Sequence, residues 1–578
     1  MKNYKAQLKE MHINRLISYE NNENRVFSKD KNCVLKIVLI VPYNYELFLF
    51  SAGIFYLENK IKNCFPNAQV DFFFYYDFLF DHEGKLKKSV ENVKKLYSFQ
   101  YYFDLNRVDV LAFSFPNSTN LYHILNILDI INIPIFSKDR KTFDYPFILL
   151  GNNALTNPKP FIKIIDAFLF GFVINEFIGL LQDLYTYKTK SNNKYGFVNE
   201  VGSKYNHILF SNDHSDSSFN TFKRIYQGKD YLSNNDPLLF ISPVITNDII
   251  LLSPNFGCKH KCSFCQFAYM EYCEIPFSKI KPYLLIAKEK KVKTIVINSL
   301  SFSQYTYRNE LLDFIKTHEF KCIVGSFRPD EAEEEFLRKL HSVTVNNLFG
   351  KMKGLKRNSV LTVAPETPSC KTLKILNKGY THDSIDKAIK MGLDCGYTNL
   401  CLYFMLGLPN EREVQNYYDI IDYTIDILKK NSYRLDSIMI KVHQFVPLAL
   451  TELQRCSMED PNEVMKNVNK MKEDLKAQLS DCHKDKIKIQ YEGPNRYFYE
   501  VITSRGGSET GEVLVKMKNA NISPYNISEK INNVIDIFNS SGLDYKSYFN
   551  SFPIDKILPW NQVDIVEKKR EHNRLILC

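Results

Sequence analysis

The sequence predicts an α/β protein. We expect a doubly wound parallel sheet in the N-terminal part, a partial (β/α)6 TIM barrel in the centre and a small C-terminal α+β unit. Two patterns predict this class: near-continuous apolar runs of strand length recur along the chain, and stretches of helical periodicity separate them. Hydrophobic residues make up 45% and charged residues 24% of the 578 residues, a balance typical of globular proteins with sizeable cores. The chain is too long for one ordinary domain.

The first block, residues 34–185, carries five strand-like runs separated by helical stretches. The runs are "VLKIVLIVPYN", "AQVDFFFYYDF", "VDVLAFSFP", "PFILLGN" and "DAFLFGF". The clearest helical stretches are "LFSAGIFYLENKIKN" and "LYHILNILDII". This alternation indicates a doubly wound, Rossmann-like parallel sheet. In such sheets ligands bind at the carboxyl ends of the strands.

A polar stretch separates the first block from a second α/β block. Residues 186–244 are rich in Asn, Ser and Gly and are expected to be a linker or an irregular crossover. From 245 to 452 the alternation returns, with six strand-like runs. These are "DIILLSP", "VKTIVINSL", "FKCIVGSF", "NSVLTVAPE", "YTNLCLYFMLGLP" and "LDSIMIKVHQFVP". Six such units predict a partial TIM barrel with its chemistry at the carboxyl ends of the strands.

The two ends of the chain are expected to be extensions. Residues 1–33 are mixed in charge without an apolar segment, so they do not indicate a signal peptide. Residues 453–578 begin with a charged helical stretch and continue into "KIKIQYEG", which predicts a small α+β extension. No run reaches the roughly 18 apolar residues of a membrane span. We therefore expect a cytoplasmic protein without a membrane partner.

The charge of the chain gives little support to a nucleic-acid partner. The formal net charge is +10, from 75 basic and 65 acidic residues, which is mild for this length. Lysines occur along the whole chain, and no basic stripe interleaved with aromatic residues stands out. A solvated basic surface explains this pattern, and nucleic-acid binding stays an unsupported alternative.

Three of the thirteen cysteines lie within eight positions, directly after the first strand of the second block. Their spacing is Cys258-x3-Cys262-x2-Cys265. A closed zinc site requires four ligands, whereas a 4Fe–4S cluster held by three thiolates leaves one iron open to a further ligand. His260 lies inside the motif, and we expect it to be an exposed loop residue rather than a fourth ligand. Three unrelated buried cysteines are the alternative.

The motif "CKHKCSFC" resembles the Cys-x3-Cys-x2-Cys signature of the radical S-adenosylmethionine (SAM) enzymes. In that superfamily the open iron of a 4Fe–4S cluster chelates SAM, and the reduced cluster cleaves SAM to a 5′-deoxyadenosyl radical. The resemblance covers nearly the whole chain and is closest to an uncharacterised branch of the subgroup with an N-terminal cobalamin-binding-type domain. The other segments that carry it are "NILDIINIPIFSKDR", "GNNALTNPKPFIKIIDAFLFGF", "LTVAPETPSCKTLKILNKG" and "LYFMLGLPNE".

The resemblance implies the ligands of the cluster and a first set of SAM-binding residues. Cys258, Cys262 and Cys265 correspond to the three cluster ligands. Phe264 takes the place of the aromatic residue that lies near the adenine of SAM in the family.

Five further residues lie at or just after the ends of strands of the second block, where the family binds SAM. Ser299 and Ser301 correspond to positions that bind the methionyl amine, with strand-end capping as the alternative. Arg328 is a cofactor contact or a surface ion-pair residue. Glu366 would bind the ribose or the amino group, and Gly407 would shape a turn whose backbone approaches adenine. We expect Lys378 to satisfy carbonyls at a helix end, and no catalytic residue is assigned.

The resemblance leaves the occupancy of the N-terminal domain open. Many cobalamin-binding domains use Asp-x-His-x-x-Gly, in which the histidine ligates cobalt, but here Asp81 and His82 are adjacent. The turn that usually holds paired glycines reads Gly151-Asn152. Many radical enzymes of this subgroup lack the histidine, so bound cobalamin and an empty domain both stay open.

The predicted function is that of a radical SAM enzyme with a 4Fe–4S cluster and SAM as cofactors. If cobalamin binds, the reaction is methyl transfer; if the domain is empty and degenerate, the enzyme modifies RNA, protein or a small metabolite. A flavodoxin- or ferredoxin-like protein is the expected reductant, and the substrate is unknown. The alternative from another class is a non-enzymatic iron–sulfur or zinc protein, which would need no SAM pocket.

Overall fold

The structure is a computed structural model, and it confirms the α/β class with parallel sheets. It describes most of the chain, and the statements below concern only that part. The described residues are 35–44, 51–66, 68–115, 117, 119–152, 155–171, 173–211, 222–224, 241, 249–268, 270–344, 360–409, 414–479, 485–561 and 563–565. The predicted N-terminal extension, residues 1–33, lies outside them.

The first sheet has six strands in the order β2-β1-β3-β4-β5-β6. β1 to β5 are parallel, and β6 pairs with β5 in the antiparallel direction. The five predicted strands are confirmed, because each apolar run is buried on both faces of the sheet. The bounds are β1 Leu35–Asn44, β2 Ala68–Tyr75, β3 Val110–Ser114, β4 Phe147–Asn152, β5 Ala167–Phe170 and β6 Ile208–Phe210.

The polar stretch after residue 185, expected to be a linker or an irregular crossover, contains regular structure in its described part. A helix begins at Lys194, where the side chain of Asn193 accepts a hydrogen bond from the backbone of Gly196. β6 then joins the edge of the sheet. The three residues of β6 are too few for a clear sequence signal, and their pairing with β5 is a tertiary effect.

The helices of the first sheet include one from far along the chain. In its described part, the connection from β4 to β5 holds a short 3-10 turn, Lys159–Phe161, and no longer helix. The helix α13, Thr510–Asn519, packs against this turn and against α2, Asn120–Ile130. Lys163 forms an ion pair with Glu512 of α13 at 2.7 Å. α13 thus supplies a helix that the β4–β5 connection lacks. The helices are α1 Ala52–Cys64, α2 Asn120–Ile130, α3 Ile174–Lys188, α4 Lys194–Val201, α13 Thr510–Asn519 and α14 Ile531–Ser540.

The second block forms two parallel sheets, of three and four strands. Their orders are β12-β11-β8 and β13-β14-β15-β16, and a parallel bridge between Phe327 and Val363 links the segment after β12 to β13. The six predicted barrel strands are confirmed, and β16 is a seventh. The bounds are β8 Ile249–Leu252, β11 Thr294–Ile297, β12 Lys321–Ile323, β13 Val360–Glu366, β14 Asn399–Leu406, β15 Ser437–Gln444 and β16 Ile487–Tyr491.

The barrel strands present one face to helices and the other to the interior of the barrel. The rings of Phe404 in β14 and Tyr423 in α10, Val414–Asn431, meet edge to face with their centroids 6.2 Å apart. Leu361 of β13 lies against Gly392 of α9, His382–Asp394. The alternate residues are only partly buried, so they lie on the opposite face. The helices of this block are α5 Phe277–Glu289, α6 Arg308–Thr317, α7 Glu334–Val343, α8 Cys370–Ile375, α9 His382–Asp394, α10 Val414–Asn431, α11 Pro461–Gln478 and α12 Pro494–Arg505.

Two short two-stranded pairs, one antiparallel and one parallel, complete the described strands. β9, Asn255–Phe256, pairs with β10, Cys273–Glu274, in the antiparallel direction. β7, Phe222–Arg224, pairs in parallel with β17, Val563–Ile565.

The chain divides into two compact units, and the division differs from the ranges expected from the sequence. The first unit comprises Met1–Gln227, Ile502–Tyr545 and Ile557–Lys568, as far as these are described. The second comprises Gly228–Val501 and Lys546–Lys556, again as far as these are described. The stretch expected to form a separate C-terminal unit is therefore shared between the two. Within the described residues, no helix is both long enough and apolar enough to cross a membrane.

Candidate active site

The three motif cysteines lie in a loop between β9 and β10. β9 and β10 pair with each other, and the loop begins at Gly257, whose φ is +68°. A Cβ atom at this position would clash with the carbonyl oxygen of Glu271. Only glycine combines this conformation with so close a backbone approach.

The loop is fixed by hydrogen bonds to segments that follow other barrel strands. The backbone N–H of Ser263 donates to the carbonyl of Leu376 at 3.0 Å, and its hydroxyl donates to Glu452 at 2.8 Å. Asn377 donates to the carbonyl of Lys261 at 2.6 Å. Segments after β13 and β15 therefore hold the cysteine loop at the carboxyl ends of the strands.

The three thiols are partly exposed and close enough to influence one another. Burial raises the pKa of Cys262, and it raises the pKa of Cys265 to about 11. Negative charge on the other motif cysteines raises both pKa values further, whereas the cationic side chain of Lys378 lowers them. Among the described residues, no three His, Cys, Asp or Glu side chains are grouped to hold a single metal ion. A cubane cluster is bound differently, because each thiolate ligates its own iron.

Two cations lie beside Cys262. A guanidinium nitrogen of Arg328 is 4.0 Å from its sulfur and within hydrogen-bonding geometry. Arg328 also donates to the carbonyl of Lys378 and pairs with Asp330 at 3.0 Å, and its guanidinium lies over the ring of Tyr380 at 4.9 Å. The structure therefore brings Arg328 to the cysteine loop, although an ion pair with Asp330 also exists.

Lys378 has a different position from the one expected. It is 7% exposed, and its ammonium forms an ion pair with Glu366 at 2.7 Å. Burial alone would lower its pKa, but the charges of Glu366, Tyr380 and Cys262 hold the pKa above its ordinary value. The expectation of a helix-end cation that serves carbonyls is wrong, because the side chain turns into the site.

Glu366 ends β13 in a conformation that is rare for residues other than glycine. Its φ is +65°, and the pairing between β13 and β14 shifts register just before it. Such strained positions cost of order 1 kcal/mol or more and occur where the surroundings impose them. Here the ion pair with Lys378 holds the carboxylate near the cysteine loop.

Glu331 lies at the centre of a second network that the sequence did not reveal. Its carboxylate accepts hydrogen bonds from Ser303, from Gln304 at 3.1 Å and from His260 at 2.6 Å. Burial would raise its pKa, but these hydrogen bonds outweigh burial and lower the pKa to about 2. Gln304 also lies 3.8 Å from the sulfur of Cys258. Glu331 thus links the segments after β11 and β12 to the cysteine loop.

His260 is partly buried, so the expectation of an exposed loop residue is wrong. Its side chain is 27% exposed because it is drawn toward Glu331. Glu331 itself belongs to the acidic run "RPDEAEEEF", in which nothing distinguishes one carboxylate from the solvated ones beside it.

Ser299 and Ser301 lie in the same region and are engaged with protein groups. Ser299 donates to the side chain of Asn255 at 2.7 Å and accepts from the backbone N–H of Ser301. Ser301 is buried, and its hydroxyl lies 3.2 Å from that of Ser303 and 3.4 Å from Glu331. Both serines therefore order the turn after β11, and a contact with SAM stays a prediction.

Phe264 and Gly407 lie further round the same end of the barrel. Phe264 packs against a buried cluster that includes Leu376, and the ammonium of Lys378 lies 5.4 Å from its ring centre. Gly407 follows β14 with a φ of +70°, and a Cβ there would lie 3.3 Å from Glu459. The structure therefore brings Phe264 to the Lys378 pair, while Gly407 contacts a different segment.

The first unit gives limited support for a cobalamin site. A Cβ at Gly151 would lie 3.0 Å from the Cβ of Leu169, so packing between strands alone accounts for this glycine. His82 is 87% exposed and pairs with its neighbour Glu83 at 3.9 Å. Asn157, after β4, donates to the carbonyls of Ser504 and Gly506, so this loop is tied to the C-terminal segment of the same unit. No described residue is assigned as a cobalt ligand.

Two protein families match the chain. The family described as radical SAM proteins, N-terminal, matches residues 70–208, which lie on the first sheet. The radical SAM superfamily matches residues 252–421, which contain the cysteine loop, Glu331, Glu366 and Lys378.

Individual relatives are distant. The uncharacterized protein MJ0966 of Methanocaldococcus jannaschii is 25% identical over 273 residues, which are 46% of this chain and 54% of that protein. The match thus spans about half the length of the curated relative.

Two solved structures have a similar fold. The methyltransferase TsrM from Kitasatospora setae, solved with cobalamin and a [4Fe-4S] cluster, has a TM-score of 0.46 and 10% identity over 84% of this chain and 99% of that chain. OxsB with aqua-cobalamin and SAM bound has a TM-score of 0.44 and 12% identity over 91% and 80%.

Proposed function

The chain belongs to the radical SAM superfamily, and on this premise we propose that it is a radical SAM enzyme whose Cys258, Cys262 and Cys265 hold a 4Fe–4S cluster. The observation that carries the proposal is the loop after β9, in which three mutually interacting thiols lie at the carboxyl ends of the barrel strands. A thiolate is the form that binds iron. These cysteines would hold the cluster, which when reduced would supply the one electron needed to cleave SAM into methionine and a 5′-deoxyadenosyl radical for abstraction of a substrate hydrogen atom.

The residues around Cys262 stabilise charge and fix the loop. Arg328 and Lys378 are cations that favour the thiolate form of Cys262 and oppose the effect of burial on its pKa. Glu331 accepts hydrogen bonds from Gln304 and His260, and thereby orients the loop from the side of β11 and β12. Such outer contacts commonly determine how well a metal site is formed.

We propose that SAM binds between this loop and the neighbouring strand ends. Glu366 carries a carboxylate suited to the amino group or ribose hydroxyls, and Lys378 offers an ammonium to the SAM carboxylate. Phe264 offers a ring for contact with adenine. We also propose, from the family resemblance, that Ser299, Ser301 and Gly407 contact SAM.

Anaerobic reconstitution of the full chain with iron and sulfide tests the proposal. We expect about four irons per chain, the number in one 4Fe–4S cluster, with charge-transfer absorbance and reductive conversion of SAM to 5′-deoxyadenosine. Tightly bound zinc with no iron, or an iron cluster that leaves SAM intact, would contradict it.

A second proposal is cobalamin-dependent methyl transfer. The order β2-β1-β3-β4-β5 reverses direction between β1 and β3, and sheets with this order bind ligands at the carboxyl ends of those strands. Incubation with hydroxocobalamin followed by gel filtration measures whether the cofactor stays with the protein. Stoichiometric retention supports methyl transfer. Complete separation supports the alternative, an empty domain in an enzyme that modifies RNA, protein or a metabolite.

We further propose that a flavodoxin- or ferredoxin-like protein reduces the cluster in the cytoplasm. The partly exposed thiols of the motif are compatible with electron entry near the loop. Reduction by purified flavodoxin at a rate that supports SAM cleavage would agree with this, and activity with chemical reductant alone would not.

A further inference from the structure

β14 and β15 carry, on the face toward the barrel interior, a cationic side chain that has no part in the proposed cluster site. Tyr403 of β14 and Lys441 of β15 are register partners, and Met405 and His443 are the next partners on the same face. These side chains are partly buried, whereas the alternate residues of both strands are buried on the side of the helices. Lys441 and His443 therefore point into the barrel from its C-terminal strands.

The ammonium of Lys441 has a neutral partner instead of a carboxylate. It donates to the hydroxyl of Tyr403 at 3.1 Å and lies 5.2 Å from the ring centre. No carboxylate among the described residues forms an ion pair with it. Glu492, whose charge acts on it, is itself paired with Arg496. An ammonium has three donors, so Lys441 keeps donors for a ligand.

Burial alone would lower the pKa of Lys441, but the hydrogen bond to Tyr403 and nearby groups hold the pKa above its ordinary value. The side chain is therefore a cation at neutral pH.

His443 adds a second polar group to the same surface. Its ring stacks on Tyr403 with centroids 5.4 Å apart and an interplanar angle of 5°. Burial lowers its pKa, so the ring is neutral at pH 7 and carries one N–H donor. Within the described part of the chain, neither ring nitrogen has a hydrogen-bond partner.

This surface lies on the same sheet as the Glu366–Lys378 pair. Glu366 is paired in register with Phe404 of β14, whose neighbour Tyr403 belongs to the set. The charge of Glu366 also acts on His443. A ligand held at Lys441 and His443 would therefore occupy the barrel beside the proposed SAM site.

We propose that Lys441, Tyr403 and His443 form a subsite for an anionic group, carboxylate or phosphate, of the substrate. The anion accepts hydrogen bonds from the free donors of Lys441 and from the ring N–H of His443, while Tyr403 holds the ammonium in place. This role rests on the proposed function, since the anion belongs to the molecule whose hydrogen is abstracted.

The test measures binding of two probes, inorganic phosphate and succinate, to the full-length reconstituted protein by equilibrium dialysis. We expect at least one probe to bind, and Lys441→Gln to weaken it by about tenfold to a hundredfold, as for a lost charge-assisted hydrogen bond. The matched control is Lys466→Gln, which removes a mostly exposed ammonium of α11 and should leave binding unchanged. The probe that binds more tightly identifies phosphate or carboxylate as the group.

Tyr403→Phe provides a second test that preserves the packing of the ring. It should weaken probe binding by a smaller factor than Lys441→Gln, and it decides the matter if Lys441→Gln does not fold. Neither substitution should change the iron content, so loss of binding is distinguishable from loss of the cluster. Binding of neither probe, or equal binding by the wild type and both variants, overturns the proposal.

Discussion

Each unit buries a cation–carboxylate pair, and the two pairs differ in what surrounds them. In the first unit Arg140 pairs with Asp166 at 2.8 Å, and Lys194 lies 3.5 Å from the same carboxylate. In the second unit Lys378 pairs with Glu366. Arg140, Asp166, Lys194 and Lys378 are buried and Glu366 is mostly buried, but only the second pair lies beside the motif thiols.

The first-unit pair is closed by hydrogen bonds to the backbone. Arg140 donates to the carbonyls of Pro134 at 2.6 Å and Ile135 at 2.8 Å, and Asp166 accepts from the backbone N–H of Ile148 at 2.8 Å. Asp166 precedes β5, at the amino end of the sheet, where ligands do not bind. This network serves the architecture of the unit.

The second-unit pair is flanked by aromatic rings. The ammonium of Lys378 has the carboxylate of Glu366 and the faces of Phe264 and Tyr380 around it, at the carboxyl ends of the strands. Aromatic faces stabilise a cation without using its hydrogen bonds. Burial therefore does not distinguish the two pairs, whereas the groups that surround each cation do.

The largest effect is expected for Cys262→Ala, because Cys262 is the motif cysteine beside both Arg328 and Lys378. Removal of one of three thiolates should reduce the iron content and abolish formation of 5′-deoxyadenosine. The control is Cys370→Ala, which removes an exposed thiol outside the motif and should leave both unchanged. Full activity of Cys262→Ala would refute the proposed ligand set.

Asp166→Ala tests the architectural side of the comparison. It leaves Arg140 and Lys194 buried without their carboxylate, which should reduce the free energy of unfolding by about 3–5 kcal/mol. Urea unfolding followed by circular dichroism measures this change. The control, Asp183→Ala, removes the carboxylate of the more exposed pair with Lys204 and should cost much less. Equal effects of the two substitutions would show that the buried network is not architectural.

The first unit should also be the source of acid sensitivity, through His123. Burial lowers the pKa of this histidine to about 4 from its ordinary 6.5. The unfolded chain therefore binds a proton before the folded chain does, and stability is lost as the pH falls from about 6.5 to about 4, by about 3 kcal/mol in total.

The measurement for His123 is the free energy of unfolding of the apoprotein at several pH values in this range. His123→Phe should remove most of the acid-dependent loss. The exposed His82→Phe is the matched control and should keep the loss. An identical pH dependence in His123→Phe and the wild type would exclude this source.

The smallest effect is expected for Lys378→Met, which keeps the length and packing of the side chain. Loss of the ammonium should weaken SAM binding by about tenfold, equivalent to one charge-assisted hydrogen bond. The loss of unfolding free energy should be smaller than for Asp166→Ala. Isothermal titration with SAM measures the affinity, and Lys374→Met on the same segment is the control. Unchanged affinity in Lys378→Met would assign this pair to architecture as well.

The sequence predicts the strands and the cysteine motif because both are local patterns. Apolar runs such as "VLKIVLIVPYN" are buried wherever they occur, and the spacing of the three cysteines is readable in one loop. The partners of the loop are not local. Glu331 is one of several acidic residues in a run, and only the folding of the chain brings it to Gln304 and His260.

The position of Lys378 was missed for a related reason. Its neighbour Gly379 suggests the end of a helix, and a lysine there usually remains in solvent. The strained φ of Glu366 and its register shift, which direct the carboxylate toward Lys378, have no signature in a sequence of ordinary β-forming residues. Tertiary packing decides such contacts.

The helix α13 has a consequence for the order of events during synthesis. It comes from a segment made hundreds of residues after the β4–β5 connection that it packs against, as the 349-residue separation of Lys163 and Glu512 illustrates. N-terminal domains generally fold while the rest of the chain is still being made. Here the nascent N-terminal sheet would lack α13 beside α2, and it would reach its final packing only after this helix has been made.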